Sequence, residues 1–187
     1  TDAAKFGVRS GVLDGQAALA ANMQRHASDL ADIIAAQIDP RHVILVGECA
    51  ASTVALALVK ELCARGTPVL GLVLLDPGEP THLRNVVRRV SLPRGPQQSI
   101  ISTLPPKVAG YYHLLAQLPD GPVAVPLRII LSQRFANVDE IGAEWTRYAG
   151  HDVPLTLVSG DHSSYLRAEA EETARAMDMI VASLAGL

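Results

Sequence analysis

The chain has 187 residues, of which 49% are hydrophobic and 19% charged, with a formal net charge of -3. This composition predicts one sizeable globular domain with a real core and excludes a disordered chain. The slight acidity and lack of a long basic run argue against nucleic acid as a partner, no apolar run approaches the roughly 20 residues that span a bilayer, and no signal-peptide pattern opens the chain. The two cysteines, Cys49 and Cys63, cannot build a disulfide framework, so a reducing cytoplasm is the expected location.

In chain order, Lys5 to Arg9 has the pattern of a short strand. Ala17 to Gln37 has helical periodicity, with Leu19, Met23, Ala27, Leu30, Ile33 and Ile34 on one side and Pro40 beyond its end. Val43 to Val46 is an apolar run without alternation, which predicts a strand buried on both faces. The turn Gly47-Glu48-Cys49 follows, and then an almost wholly apolar helix from Ala50 to Arg65, stopped by Gly66. Val69 to Leu75 is a second buried strand, ended by Asp76-Pro77-Gly78. The stretch from Pro80 to Pro122 differs from the rest. It holds several prolines, a basic patch of Arg84, Arg88, Arg89 and Arg94, and one helical segment near Val108 to Gln117. Leu127 to Leu131 resumes the strand pattern, Ile141 to Tyr148 is a short helix, and Leu155 to Val158 is a strand followed by Ser159-Gly160-Asp161-His162. A last helix is expected from about Arg167 to Leu184. Strands alternating with helices predict a mostly parallel sheet flanked by helices, and such sheets bind ligands beyond the carboxyl ends of their strands.

Three chemistry-bearing residues fall at such ends. Cys49, Asp76 and His162 follow three different strands, in the order nucleophile, acid, base. A nucleophile needs a base within hydrogen-bond reach, and the base needs an orienting partner. Asp76 would fix the tautomer of His162, and His162 would take the proton of Cys49. The amide of Ala50, at a helix N-terminus, would serve as an oxyanion donor. Each residue alone also has a plainer reading: a small buried hydrophobe, a turn residue, a surface histidine. For Cys63, inside the apolar helix, the plainer reading is the expected one. His26, His42, His82, His113 and His151 show no metal-ligand spacing, so neither a metal nor a cofactor is expected.

The segments "FGVRSGVLDGQ", "VILVGECAASTVALALVKELCARGTPVLGLVLLDP", "VPLRIILSQ", "AEWTRYAG" and "LTLVSGDHSSYL" resemble the type I thioesterase domain that ends nonribosomal peptide and polyketide synthases. The resemblance covers nearly the whole chain and is weakest between residues 80 and 122. It implies an α/β-hydrolase fold in one domain, 1–187, with a lid insertion at about 80–122. It further implies release of a peptidyl or polyketide chain from the phosphopantetheine of an acyl or peptidyl carrier protein, by hydrolysis or cyclisation. Cys49 matches the family's nucleophile position, Asp76 its acid and His162 its base. Cysteine stands where the family usually has serine, and Ala51 where it usually has the last glycine of the elbow. The family's strand bearing the other oxyanion donor precedes the point where this sequence starts, so an amino-terminally truncated domain is expected. A thiol nucleophile would exchange one thioester for another and keep acyl energy for a second step. Two readings compete: a small-ester hydrolase of the same fold, and a catalytically degenerate binding domain. The arginine patch reads as a solvated face or as a dock for an acidic carrier.

Overall fold

The computed structural model of the protein describes residues 20–81, 83–84, 104–134 and 137–186. The strand expected near Phe6 and the central part of the 80–122 segment, with Arg88, Arg89 and Arg94, lie outside them. Four strands form one sheet: β1 (Ile44–Glu48), β2 (Gly71–Leu75), β3 (Leu127–Ser132) and β4 (Leu155–Val158). They lie in sequential order and every pair is parallel. Among the described residues the following helices accompany them: α1 (Met23–Gln37), α2 (Ala51–Ala64), α3 (Pro106–Leu115), α4 (Val138–Ala149) and α5 (Ala170–Ala185).

The continuous apolar runs of β2 and β3 follow from a sheet covered on both faces. Leu72, Leu74, Leu127, Ile129 and Leu131 point to one face and pack with Leu30, Leu56, Val59, Leu62, Ile141 and Trp145 of α1, α2 and α4. Val73, Leu75 and Ile130 point to the other, where Val158, Tyr165 and the α5 residues Ala176 and Ile180 meet them. Parallel crossovers keep one hand, so α2 and α4, each joining neighbouring strands in the same direction, share a face. That leaves the opposite face to α5. Within this packing the Trp145 indole is fully buried, and its N–H donates to the Gly78 carbonyl at 2.7 Å, fastening α4 to the loop that follows Asp76.

Three helices start three or more residues away from the sequence reading. The first helix starts at Met23 rather than Ala17, because Asn22 is extended and its side chain accepts a hydrogen bond from the Arg25 amide, capping the helix there. The helix expected from Ile141 starts a turn earlier, at Val138, with Asp139 and Glu140 in the first turn facing the positive end of its dipole. The last helix starts at Ala170 rather than Arg167, since residues 162–169 form turns. The segment near 108–117 is α3, whose Leu114 and Leu115 pack on Met23, Ala27 and Ala57. Beyond α3, the Lys60 ammonium on α2 donates to the Asp120, Gly121 and Pro122 carbonyls at 2.8, 2.6 and 2.8 Å. Among the described residues, no helix is long and apolar enough to cross a membrane.

Candidate active site

The carboxyl ends of all four strands converge on one site. The sheet ladder runs one residue past the strands: the Cys49 amide donates to Leu75, the Asp76 amide to Ile130 and the Gln133 amide to Val158. Of the three candidates, Cys49 and Asp76 leave the sheet where pairing stops, and His162 follows in the loop after β4. The first two leave it in a conformation that non-glycine residues avoid. Cys49 and Asp76 both have a φ of 49°, in the left-handed region. Such residues each cost on the order of 1–3 kcal/mol and persist where the surroundings over-determine them.

At Cys49 the surroundings are a sharp strand-to-helix elbow. Ala50 is already helical, the Ser52 amide donates to the Cys49 carbonyl at 3.1 Å, and the Ser52 hydroxyl donates to the Gly47 carbonyl at 3.3 Å. Gly47 is needed for the close approach of β1 to α2, because a Cβ there would sit 2.8 Å from Ala55 Cβ and 2.9 Å from Ser52 Cα. Ala51, by contrast, is exposed in the first turn of α2, so its methyl group meets no constraint in the elbow.

Asp76 is 1% exposed, and its carboxylate is saturated with donors. Oδ1 accepts from the Ser132 amide and the Ser132 hydroxyl, both at 2.9 Å. Oδ2 lies 2.5 Å from His162 Nδ1 and 3.2 Å from Arg134 Nε. A carboxylate can only accept, so Nδ1 carries the proton and Nε2 is left as the basic nitrogen.

His162 reaches Asp76 across the end of β3, from a loop shaped by its neighbours. The Asp161 carboxylate accepts from the Ser163 and Ser164 amides at 2.7 and 3.0 Å, and these bonds hold its pKa below the usual carboxylate range. In return the Ser164 hydroxyl accepts from the Asp161 amide at 2.8 Å. Tyr165 is fully buried; its ring stacks on the His162 imidazole, centroids 6.2 Å apart, and its hydroxyl donates to Glu48 beside Cys49 at 3.3 Å. Burial pushes the Tyr165 phenol well up, with the Glu48 and Asp76 charges adding to it, so it stays a donor.

Burial pushes the Cys49 thiol up. The Ala50 amide opposes this by donating to the sulfur, Glu48 and Asp76 raise the thiol further by repulsion, and Arg134 lowers it by attraction. The structure brings Asp76 and His162 into contact and sets Cys49 within reach of the Asp76 charge. Among the described residues no hydrogen bond is recorded between the Cys49 thiol and His162. Ser132, Arg134, Tyr165 and Glu48 are parts of the site that sequence reasoning missed. Ser132 and Arg134 had one available signal, since polar residues closing a strand buried on both faces stand at the ligand-binding end of the sheet.

Cys63 differs from Cys49 in that it packs against the core of α1 and α2, where burial pushes its thiol up, the Lys60 charge opposing this. Iodoacetamide is expected to label Cys49 much faster than Cys63, and His162→Ala to slow that labelling near neutral pH, because paired thiolates react and packed thiols do not. Equal labelling of the two, followed by peptide mass spectrometry, would make Cys49 a structural residue.

No protein-family model and no curated protein matches the chain. Solved structures do. The Vlm2 thioesterase domain, in a form carrying 2,3-diaminopropionic acid and bound with a dodecadepsipeptide, superposes with a TM-score of 0.63 at 21% identity, over 90% of this chain and 78% of that one. YbtT, a type II thioesterase from the yersiniabactin pathway, gives 0.61 at 16% identity over 87% and 75%. SrfTE, the thioesterase domain studied for cyclization of the lipopeptide antibiotic surfactin, gives 0.55 at 18% identity over 76% and 67%. The parallel sheet with helices on both faces, taken with these superpositions, establishes that the chain has the α/β-hydrolase fold.

Proposed function

We propose that the protein is a thioesterase that releases a peptidyl or polyketide acyl chain from the phosphopantetheine of a carrier protein through a Cys49 acyl-enzyme. The observation that supports this most is the Asp76–His162 hydrogen bond at the strand ends beside the left-handed Cys49 elbow. The likeness to thioesterase domains supports the substrate class. In this reading His162 Nε2 takes the thiol proton as Cys49 Sγ attacks the thioester carbonyl. The Asp76 carboxylate stabilises the imidazolium through Nδ1, and the Ala50 amide donates to the developing oxyanion. Collapse of the tetrahedral intermediate breaks the bond to the carrier sulfur, which leaves as a thiol with the proton from His162. The acyl chain then sits on Cys49 as a thioester. Water, or an amine or hydroxyl of the chain itself, attacks next, with His162 again as base. The protein supplies no cofactor of its own, since the phosphopantetheine arrives with the carrier.

The lid of this reading, at about 80–122, would include α3, and the Lys60 clamp on residues 120–122 would fix its far end. Turnover of an acyl-pantetheine thioester tests the reading. The protein is expected to hydrolyse or cyclise it, and Cys49→Ala to lower kcat by about a thousandfold or more. Equal rates for the two proteins would sink it. A second reading, a binding domain that retains the fold without turnover, draws on the burial that raises the Cys49 thiol. It predicts saturable binding of the same thioester with no product.

A further inference from the structure

The carboxyl end of β3 holds Asp76 from two sides. Ser132, the last residue of the strand, places its amide and hydroxyl on Oδ1. Two residues on, Arg134 places its Nε on Oδ2, the oxygen that also accepts from His162. The arginine side chain is 39% exposed and the carboxylate is fully buried, so the guanidinium lies at the boundary between the buried acid and the open site.

We infer that Arg134 is a positioning residue of this site, one that fixes the carboxylate shared with His162 and sets a permanent positive charge beside the Cys49 thiol. The inference deepens the thioesterase reading and rests on it for the role of Cys49 as nucleophile. The groups that face the thiol come from every strand end. They are Glu48 from β1 with the Ala50 amide after it, Asp76 after β2, Arg134 after β3, and Tyr165 after β4, while His162 stands against Asp76. Two carboxylates therefore stand near a sulfur that must become negative to react. Among the described residues whose charge bears on the thiol, Arg134 is the group that favours the thiolate. A guanidinium keeps its charge at every working pH, so this help does not depend on the protonation of the base. The same guanidinium neutralises part of the Asp76 charge, which lessens the repulsion that Asp76 exerts on the sulfur. The arrangement answers a problem specific to a cysteine here: a thiol among carboxylates, in a partly buried elbow, is otherwise held in its unreactive form.

The test follows iodoacetamide alkylation of Cys49 against pH, with Cys63→Ala as the parent so that one thiol reports. Between about pH 6 and about pH 10, Arg134→Gln is expected to alkylate about threefold or more slowly than the parent near pH 7.5, with the gap narrowing as the pH rises. Arg134→Lys keeps the charge and is expected to recover most of the rate. A profile for Arg134→Gln that superposes on the parent overturns the inference. So does a deficit that is uniform across pH and not relieved by lysine, which marks a merely structural contact. Alkylation needs no thioester, so the two proposals fail separately. A parent whose thiol depends on Arg134 but which turns over no thioester retires the thioesterase reading alone. Thioester turnover with an Arg134-insensitive alkylation profile retires the present inference alone.

Discussion

Asp76→Asn is expected to lower kcat on an acyl-pantetheine thioester by about a thousandfold to ten-thousandfold, the range seen when a triad acid is made an amide. The reason lies in the four donors around the carboxylate. Ser132 offers an amide N–H and a hydroxyl to Oδ1; His162 Nδ1 and Arg134 Nε offer protons to Oδ2. An asparagine has one acceptor oxygen and one NH2, so one pair of donors must face another donor. If the NH2 faces Ser132, the hydroxyl can turn but the backbone amide cannot, and a buried N–H is left unmatched at a cost of about 1–3 kcal/mol. If the NH2 faces His162, the imidazole must present Nδ1 as an acceptor. Its proton then sits on Nε2, and the base can no longer accept the proton of Cys49. The second placement is the expected one, since it sacrifices a contact with the half-exposed Arg134 rather than one inside the sheet. KM should change little, because the substitution alters the tautomer of the base inside a buried network. Rates measured for the variant beside a urea melt separate the two effects. A folded Asp76→Asn protein that keeps more than about a tenth of parental kcat would remove Asp76 from the chemistry.

Much of this network could be read from the sequence, and the part that could not has identifiable causes. The apolar runs Leu72 to Leu75 and Ile129 to Leu131 lack alternation because successive side chains enter opposite cores, and that signal survives without any structure. Residues that follow such runs stand at the ligand-binding end, which is why Cys49, Asp76 and His162 could be singled out. Strand order could not be read. The sequential order places Cys49 just after the first described strand and His162 after the last, so the histidine loop must cross the end of β3 to reach Asp76. That crossing is made by Asp161, Ser164 and Tyr165, which look like ordinary loop residues until Glu48 and Asp76 are known to lie beneath them. The same loop delays α5, since residues from 162 onward have helix-compatible composition but are committed to positioning the imidazole. Arg134 was hidden for a related reason. An arginine just after a strand resembles a solvated turn residue, and only the pairing of β2 with β3 brings it to the acid.

Gly47→Val is expected to destabilise the protein by about 3 kcal/mol or more and to remove activity with it. Gly47 closes the sheet side of the elbow and is buried between β1 and α2. An added Cβ would meet Ala55 Cβ at 2.8 Å, Ser52 Cα at 2.9 Å and the Ala51 carbonyl oxygen at 3.2 Å. Two of these three are backbone atoms of the first turn of α2, so no rotamer change relieves the overlap. The strand and helix must separate instead. Separation pulls the Ala50 amide away from the Cys49 sulfur and weakens the bond from the Ser52 hydroxyl to the Gly47 carbonyl. Gly47→Ala is expected to show a smaller loss of about 1–3 kcal/mol. Adding Ala55→Gly to it should return only part of that loss, since the clash with Ser52 Cα remains and a helix-interior glycine costs about 1 kcal/mol by itself. Ala51→Gly, two residues past Cys49 but exposed, is expected to change stability by no more than about 1 kcal/mol and to leave the thiol's alkylation rate unaltered. Urea midpoints for the four variants, with alkylation of Cys49 on each, test the whole set. A Gly47→Val protein as stable as its parent would mean that the elbow does not depend on close contact between β1 and α2, and that the left-handed Cys49 is held by something else.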